Sequence, residues 1–152
     1  MKSMKTARPP SCKFRRILVP VDFSDHSRQA FRTAIALARQ FGLSLAVIHV
    51  TRRNRPDSHI VAELTGMAFD PHPAGRTLLA QFVEREAPGD FQLKRIVADG
   101  VPHVAIAKAA TAWRGDLIVI STHGYTGLKH VLMGSTAECV VRHAPCQMLV
   151  VR

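Results

Sequence analysis

Residues 116–138 read DLIVISTHGYTGLKHVLMGSTAE, and the way this stretch divides decides the architecture. Asp116 to Ser121 reads as a strand, its centre Leu117 to Ile120 an unbroken apolar run of the kind buried on both faces. Polar and glycine residues follow: Ser121, Thr122, His123, Gly124, Thr126 and Gly127. Gly134-Ser135-Thr136 then opens a helix that the pattern carries to His143, and Gln147 to Val151 is again a strand. Strand, glycine-bearing loop, helix, strand is a βαβ unit, and such a crossover joins parallel strands.

The same alternation extends back to the start of the chain. Arg16-Ile17-Leu18-Val19-Pro20-Val21 reads as a buried strand, and Asp22-Phe23-Ser24-Asp25 carries N-cap chemistry. Ala30, Phe31, Ala34, Ile35, Leu37, Ala38 and Phe41 trace one helical face, which Gly42 ends. Leu43 to Val50 predicts a second strand. Thr51 to Pro73 has no clean period and reads as a long, mobile connection with one helical turn around Ile60 to Leu64. Leu78, Leu79, Phe82 and Val83 mark a helix ending before Pro88-Gly89, and Phe91 to Ala98 a third strand. Pro102 suits the first turn of the next helix, which runs through Ile106, Ala110 and Trp113 and stops at Gly115. The whole predicts a single-domain α/β fold, an open five-stranded parallel sheet with helices on both faces.

Composition bounds the function. At 152 residues and 47% apolar, the chain is one globular domain that needs no disulfide or structural metal. No apolar run approaches the ~20 residues of a spanning helix. Met1 to Arg16 is basic and lacks the apolar segment of a secretory signal. Residues 1–13 therefore read as a flexible basic tail, and 14–152 as the domain. Three cysteines, Cys12, Cys139 and Cys146, are an odd number at no metal-like spacing, which fits a reducing cytoplasm. The net charge of +10 attracts anions. Much of it lies in or beside the tail, or in the Arg52, Arg53, Arg55 loop, and one Trp and one Tyr offer little base stacking. Those features weigh against nucleic acid as the partner.

In a doubly wound sheet, ligands bind beyond the carboxyl ends of the strands where the winding reverses. Polar and glycine residues concentrate at two such tips, after the first and fourth strands. At the second, Gly124 permits close backbone approach, and the Gly134-Ser135-Thr136 helix start presents N–H groups and a positive dipole end to an anion. A phosphate chain is the natural guest. The same residues also read as local structure: Ser135-Thr136-Ala137-Glu138 is a capping box, and Gly127 and Gly134 are turn residues. Neither GxxxxGK[ST] nor a GxGxxG after a strand occurs. Asp22 reads either as a ligand carboxylate, taking a ligand hydroxyl or a Mg²⁺ beside phosphates, or as a cap for the helix after it. His26, His49, His123 and His130 are candidates to approach the site, without metal-ligand spacing. No nucleophile, base and orienter stand out as a catalytic set.

Taken together, these residues resemble the universal stress protein family from Phe14 to Arg152. The likeness is densest over residues 116–124, Gly134-Ser135-Thr136-Ala137-Glu138 and His143-Ala144-Pro145-Cys146, and includes the opening Ile17-Leu18-Val19-Pro20-Val21-Asp22. It implies strand order 3-2-1-4-5, a Rossmann-like sheet of the adenine nucleotide α-hydrolase type. The family's ATP-binding branch carries G-x2-G-x9-G-[S/T]. Gly124, Gly134 and Ser135 match its last three positions, while Ser121 stands at the first, where the pattern has glycine and where a side chain would lie beside the expected ribose. By resemblance, Pro20, Val21 and Asp22 would contact the adenosine end and Val50 would line the adenine pocket. Ser121, Thr122, His123, Gly124, Gly134, Ser135 and Thr136 would form the ribose and phosphate side. The implied protein is a stress-response regulator that binds ATP, with accompanying Mg²⁺ near Asp22, and forms a homodimer through Met148 to Val151. The alternatives are a nucleotide-free dimeric scaffold or chaperone-like protein, and a slow ATPase.

Overall fold

The computed structural model describes residues 14–51, 73–123 and 133–152. Its elements are β1 (Arg16–Pro20), α1 (Asp25–Phe41), β2 (Ser44–Thr51), α2 (Pro73–Glu86), β3 (Lys94–Asp99), α3 (Pro102–Trp113), β4 (Leu117–Ser121), α4 (Ser135–His143) and β5 (Gln147–Val151). The strands form one parallel sheet in the order β3-β2-β1-β4-β5. The tail, the Thr51 to Pro73 connection beyond its two ends, and Gly124 lie outside the described residues.

Alternation along each strand builds two cores. Ile17, Val19, Leu45, Val47, Leu117 and Val119 face α1 and α2, where Phe31, Leu79 and Phe82 complete the packing. Leu18, Ala46, Ile48, Ile118 and Ile120 face α3 and α4, against Ile106, Ala110 and Val140. Covering on both faces is why the central strands read as continuous apolar runs.

The helix ends show which local signals prevailed. Gly42 takes φ +66 at the C-cap of α1, as its position predicts. At the end of α3 the left-handed residue is Arg114, φ +54, and the helix stops at Trp113, ahead of Gly115. Gly75 serves a different need. A Cβ there would come within 3.1 Å of Thr51 Cγ2 and Val97 Cγ1, so its absence lets α2 lie close on β2 and β3. The third strand begins at Lys94, later than Phe91, because Phe91 N–H is taken by Pro88 O in a turn (2.9 Å) and its ring packs on the core.

The sheet opens between its two middle strands. β1 pairs with β2 from Arg16↔Ser44 through to Pro20↔Ile48, and β4 pairs with β5 as far as Ser121↔Val151. Pairing between β1 and β4 covers only Ile17↔Leu117 and Leu18↔Ile118. Hydrogen-bonding direction explains why this is tolerated. Arg16 O accepts from Asp116 N (3.0 Å), whereas Val21 N donates to Ile48 O (2.8 Å), so even-numbered residues of β1 face β4 and odd-numbered ones face β2. Pro20 therefore faces β4 with no N–H to offer, so β1 leaves no donor of its own unpaired where the pairing ends. Below the gap, the Asp116 carboxylate accepts from the N–H groups of Arg15 (2.8 Å) and Arg16 (3.0 Å) and holds the two strands together at their base.

In Pro20→Ala, the new amide is expected to exchange with solvent far faster than that of Val19, as measured by hydrogen exchange. Protection equal to Val19 would mean that the ladder closes once a donor is supplied.

Candidate functional site

The parted ends of β1 and β4 form the floor of a cleft of about 420 Å³. That volume suits a small-molecule ligand. Of the residues singled out from sequence, Pro20, Val21, Asp22, Val50, Ser121, Thr122, His123, Gly134, Ser135 and Thr136 all line it. Sequence reasoning missed Ser27, Ile48, Pro102, Ile106, Ile120 and Ala137, which complete the wall. Ile48, Ile106, Ile120 and Ala137 belong to the α3–α4 core cluster, so the cleft is an extension of that core to the surface. Their apolar character is that of any core residue, and only the strand order reveals that they border an opening.

The β1–α1 loop is built around hydroxyls. Ser24 is the N-cap of α1, its Oγ accepting from Ser27 N (3.2 Å) and donating to Asp22 Oδ1 (2.6 Å). Ser24 N also donates to Asp22 Oδ1 (3.1 Å). Ser27, only 2% exposed, donates its hydroxyl to Ser24 O (3.1 Å) and accepts from Asp22 N (3.3 Å). The helix cap is thus Ser24, and Asp22 orients it while lining the cleft.

The loop is also clamped from the other face of the sheet. Phe23 takes φ +67, a left-handed conformation that costs a non-glycine residue about 1 kcal/mol or more. Its ring stacks on His49 (centroids 4.3 Å apart) and on Phe82 (5.5 Å). His49 Nδ1 lies 3.0 Å from Val21 O, so this nitrogen carries the proton and donates. His49 therefore supports the cleft from behind, whereas His123 lines it and His130 lies outside the described residues.

On the opposite side, Thr122 organises the β4 exit. Its N–H donates to Val151 O (2.9 Å), its carbonyl accepts from Gly134 N (2.6 Å), and its Oγ1 lies 2.9 Å from His123 Nδ1. Ser121 is 8% exposed and donates its hydroxyl to His123 O (2.9 Å), which turns it onto the loop backbone. α4 begins with Gly134 as N-cap and no side-chain cap. The capping box expected of Ser135 and Glu138 does not form. Ser135 is already the first helical residue, past the position from which a hydroxyl can cap, and Glu138 pairs instead with Arg142 one turn on (2.8 Å). The positive end of α4 accordingly faces the cleft with no side-chain cap at its N-cap residue.

Cys146 lines a different part of the surface from this chemistry. Cys146 lies beyond the opposite end of the sheet beside Asp116, and burial, with the Asp116 charge second, raises its thiol pKa above the ordinary 9.0. Among the described residues, no group of three or more His, Cys, Asp or Glu is placed to hold a metal ion, and no helix is long and apolar enough to cross a membrane.

A parallel sheet in the order 3-2-1-4-5, opened beside its first strand onto an uncapped helix start, defines a doubly wound α/β protein with a ligand cleft at the point where its winding reverses. The family model described as "Universal stress protein family" matches residues 13–152, and the chain belongs to that family. It is 30% identical to a universal stress protein of Methanocaldococcus jannaschii, over 91% of this chain and 82% of that one. Universal stress protein UspA from Lactobacillus plantarum, a solved structure, is 31% identical with a TM-score of 0.67, covering 92% of this chain and 99% of its own. Two solved structures share the fold at lower identity. One is a universal stress protein in complex with cAMP (22% identity, TM-score 0.68, covering 91% and 97%). The other is that of Archaeoglobus fulgidus in complex with dAMP (20%, TM-score 0.64, covering 91% and 98%).

Two outcomes are expected here. Ser24→Ala removes the α1 cap and one Asp22 partner, and should lower stability by about 1 kcal/mol in denaturant titration; an unchanged midpoint would contradict the cap. Because its pKa is raised, Cys146 holds less thiolate than a free cysteine at any pH below that pKa. Its alkylation should be slow near neutrality and accelerate only in the alkaline range, which is checked by mass mapping of Cys146 across pH.

Proposed function

We propose that the cleft binds an adenine nucleotide, ATP being the leading ligand, and that occupancy sets a state of the protein that partners read. The observation that carries this is the uncapped start of α4 opening into the cleft opposite Asp22. An anion at that helix start meets N–H groups and a favourable dipole, while Asp22 supplies an acceptor for ligand hydroxyls. Val21, Ile48 and Val50 give an apolar surface for a base. The cAMP and dAMP complexes of proteins with this fold support an adenine ligand. In this reading Gly124 belongs to the phosphate side, and Asp22 is the lining carboxylate beside which a Mg²⁺ brought by the phosphates would sit.

Gly134 adds a physical argument. Its φ of −67 and ψ of 151 are open to any residue, so the backbone there makes no demand for glycine. Space for a ligand does. Binding also has enough free energy to matter. A micromolar nucleotide is held by about 8 kcal/mol. At a thousandfold excess over Kd, it stabilises the fold by about 4 kcal/mol.

A homodimer through β5 belongs to the same proposal. β5 is the last strand of the sheet, with Leu149 on it and Val141 on α4 both exposed. An apolar edge of this kind favours pairing with a second copy.

Thermal melts with and without Mg-ATP test the nucleotide. Wild type should melt several degrees higher at millimolar ATP. Gly134→Val should lose that shift, while its ligand-free melt stays near wild type. No shift in wild type, together with no nucleotide released from the denatured purified protein, would refute the reading.

A further inference from the structure

We propose that His26 and His123 form a proton-dependent jaw at the phosphate end of the cleft, which makes the site prefer nucleoside di- and triphosphates over monophosphates and bind them more tightly as pH falls. The inference rests on the nucleotide reading above and deepens it. His123 lines the cleft beside the start of α4, and Thr122 Oγ1 at 2.9 Å from Nδ1 sets its ring. His26 stands exposed in the first turn of α1, next to the lining residue Ser27, and its ring centroid is 5.5 Å from that of His123. The pair thus joins the helix that borders the base side to the helix start that would receive the first phosphate. A monophosphate is satisfied at α4; further phosphates continue outward, toward the jaw.

Two protonated imidazoles this close repel one another. A polyphosphate reverses that balance, because each proton then gains an anionic neighbour. The ligand therefore raises the pKa of the pair, and the sign follows from linkage. Tighter binding is present below the raised values and is lost as pH climbs through them.

Among the described residues, the nearby acidic groups are engaged elsewhere. Asp25, beside His26, is paired with Arg28 (2.5 Å), which also meets Glu86. Asp22 on the cleft wall takes both donors of Ser24. Glu138 on α4 is paired with Arg142, and His103 and His143 face each other (5.7 Å) across α3 and α4. Arg152 follows the strand that accepts from Thr122 N.

Calorimetric titration of the full chain with ATP and with AMP, between about pH 8 and about pH 6, tests the jaw. The measured quantity is the ratio of wild-type to His26→Gln affinity, in which protonation of the nucleotide itself cancels. For ATP this ratio should be near one at the alkaline end and rise to about tenfold at the acid end, one pKa unit of coupling. For AMP it should stay flat. Titrations in buffers of different ionisation enthalpy should show net proton uptake with ATP by wild type and less by His26→Gln. His26→Arg, cationic throughout, should bind ATP tightly at both ends of the range. An ATP ratio that does not change with pH, or an equal rise for AMP, overturns the jaw while leaving the nucleotide site standing. No binding of either nucleotide by any of the three proteins overturns both.

Discussion

The cleft exists because two adjacent parallel strands stop pairing halfway along their length. Everything below Leu18 and Ile118 is an ordinary ladder, anchored by the Asp116 carboxylate on two N–H groups of β1. Above that point a conventional residue facing β4 would leave its donor unpaired in a concave, partly desolvated place, at a cost of about 1–3 kcal/mol. Proline removes the donor and so removes the cost. The outer ladders continue on both sides, so the opening is framed by intact sheet. A rigid frame around a gap is what a binding site on a parallel sheet requires.

Much of this was legible in the residues. Continuous apolar runs in Ile17 to Val19 and Leu117 to Ile120, with helical spacing in Ala30 to Phe41, predicted the elements because burial on two faces leaves few other patterns. Strand order came from the family resemblance, and so did the grouping of distant residues into one cleft. What stayed illegible depended on partners far away in the chain. Phe23 shows no local sign of a left-handed backbone; His49 and Phe82 hold it there. The capping box at Ser135 was a fair local inference that lost by one residue of register, since Gly134 took the cap position and Arg142 took Glu138. Ile48, Ile106 and Ile120 look like core because they are core, and the cleft is cut into it.

The two lips of the site are built differently. The β1–α1 lip is braced from both faces of the sheet: serine hydroxyls fix Asp22 in front, and the Phe23–His49–Phe82 stack holds the backbone from behind. The β4 lip hangs on the backbone of Thr122, which ties it at once to β5 and to the head of α4. One wall is thus braced by side chains and the other by backbone hydrogen bonds.

The bond between Thr122 O and Gly134 N also bears on how such a protein diversifies. It brings the chain back to within one hydrogen bond of the place it left, so whatever lies between begins and ends at a fixed port. The entropy of closing such an excursion grows only with the logarithm of its length, about 0.6 kcal/mol per doubling. Insertions and wholesale replacement there should thus be nearly neutral for the sheet. Descendants of one scaffold could exchange that segment as a cartridge, acquiring new ligands or partners with the core unaltered.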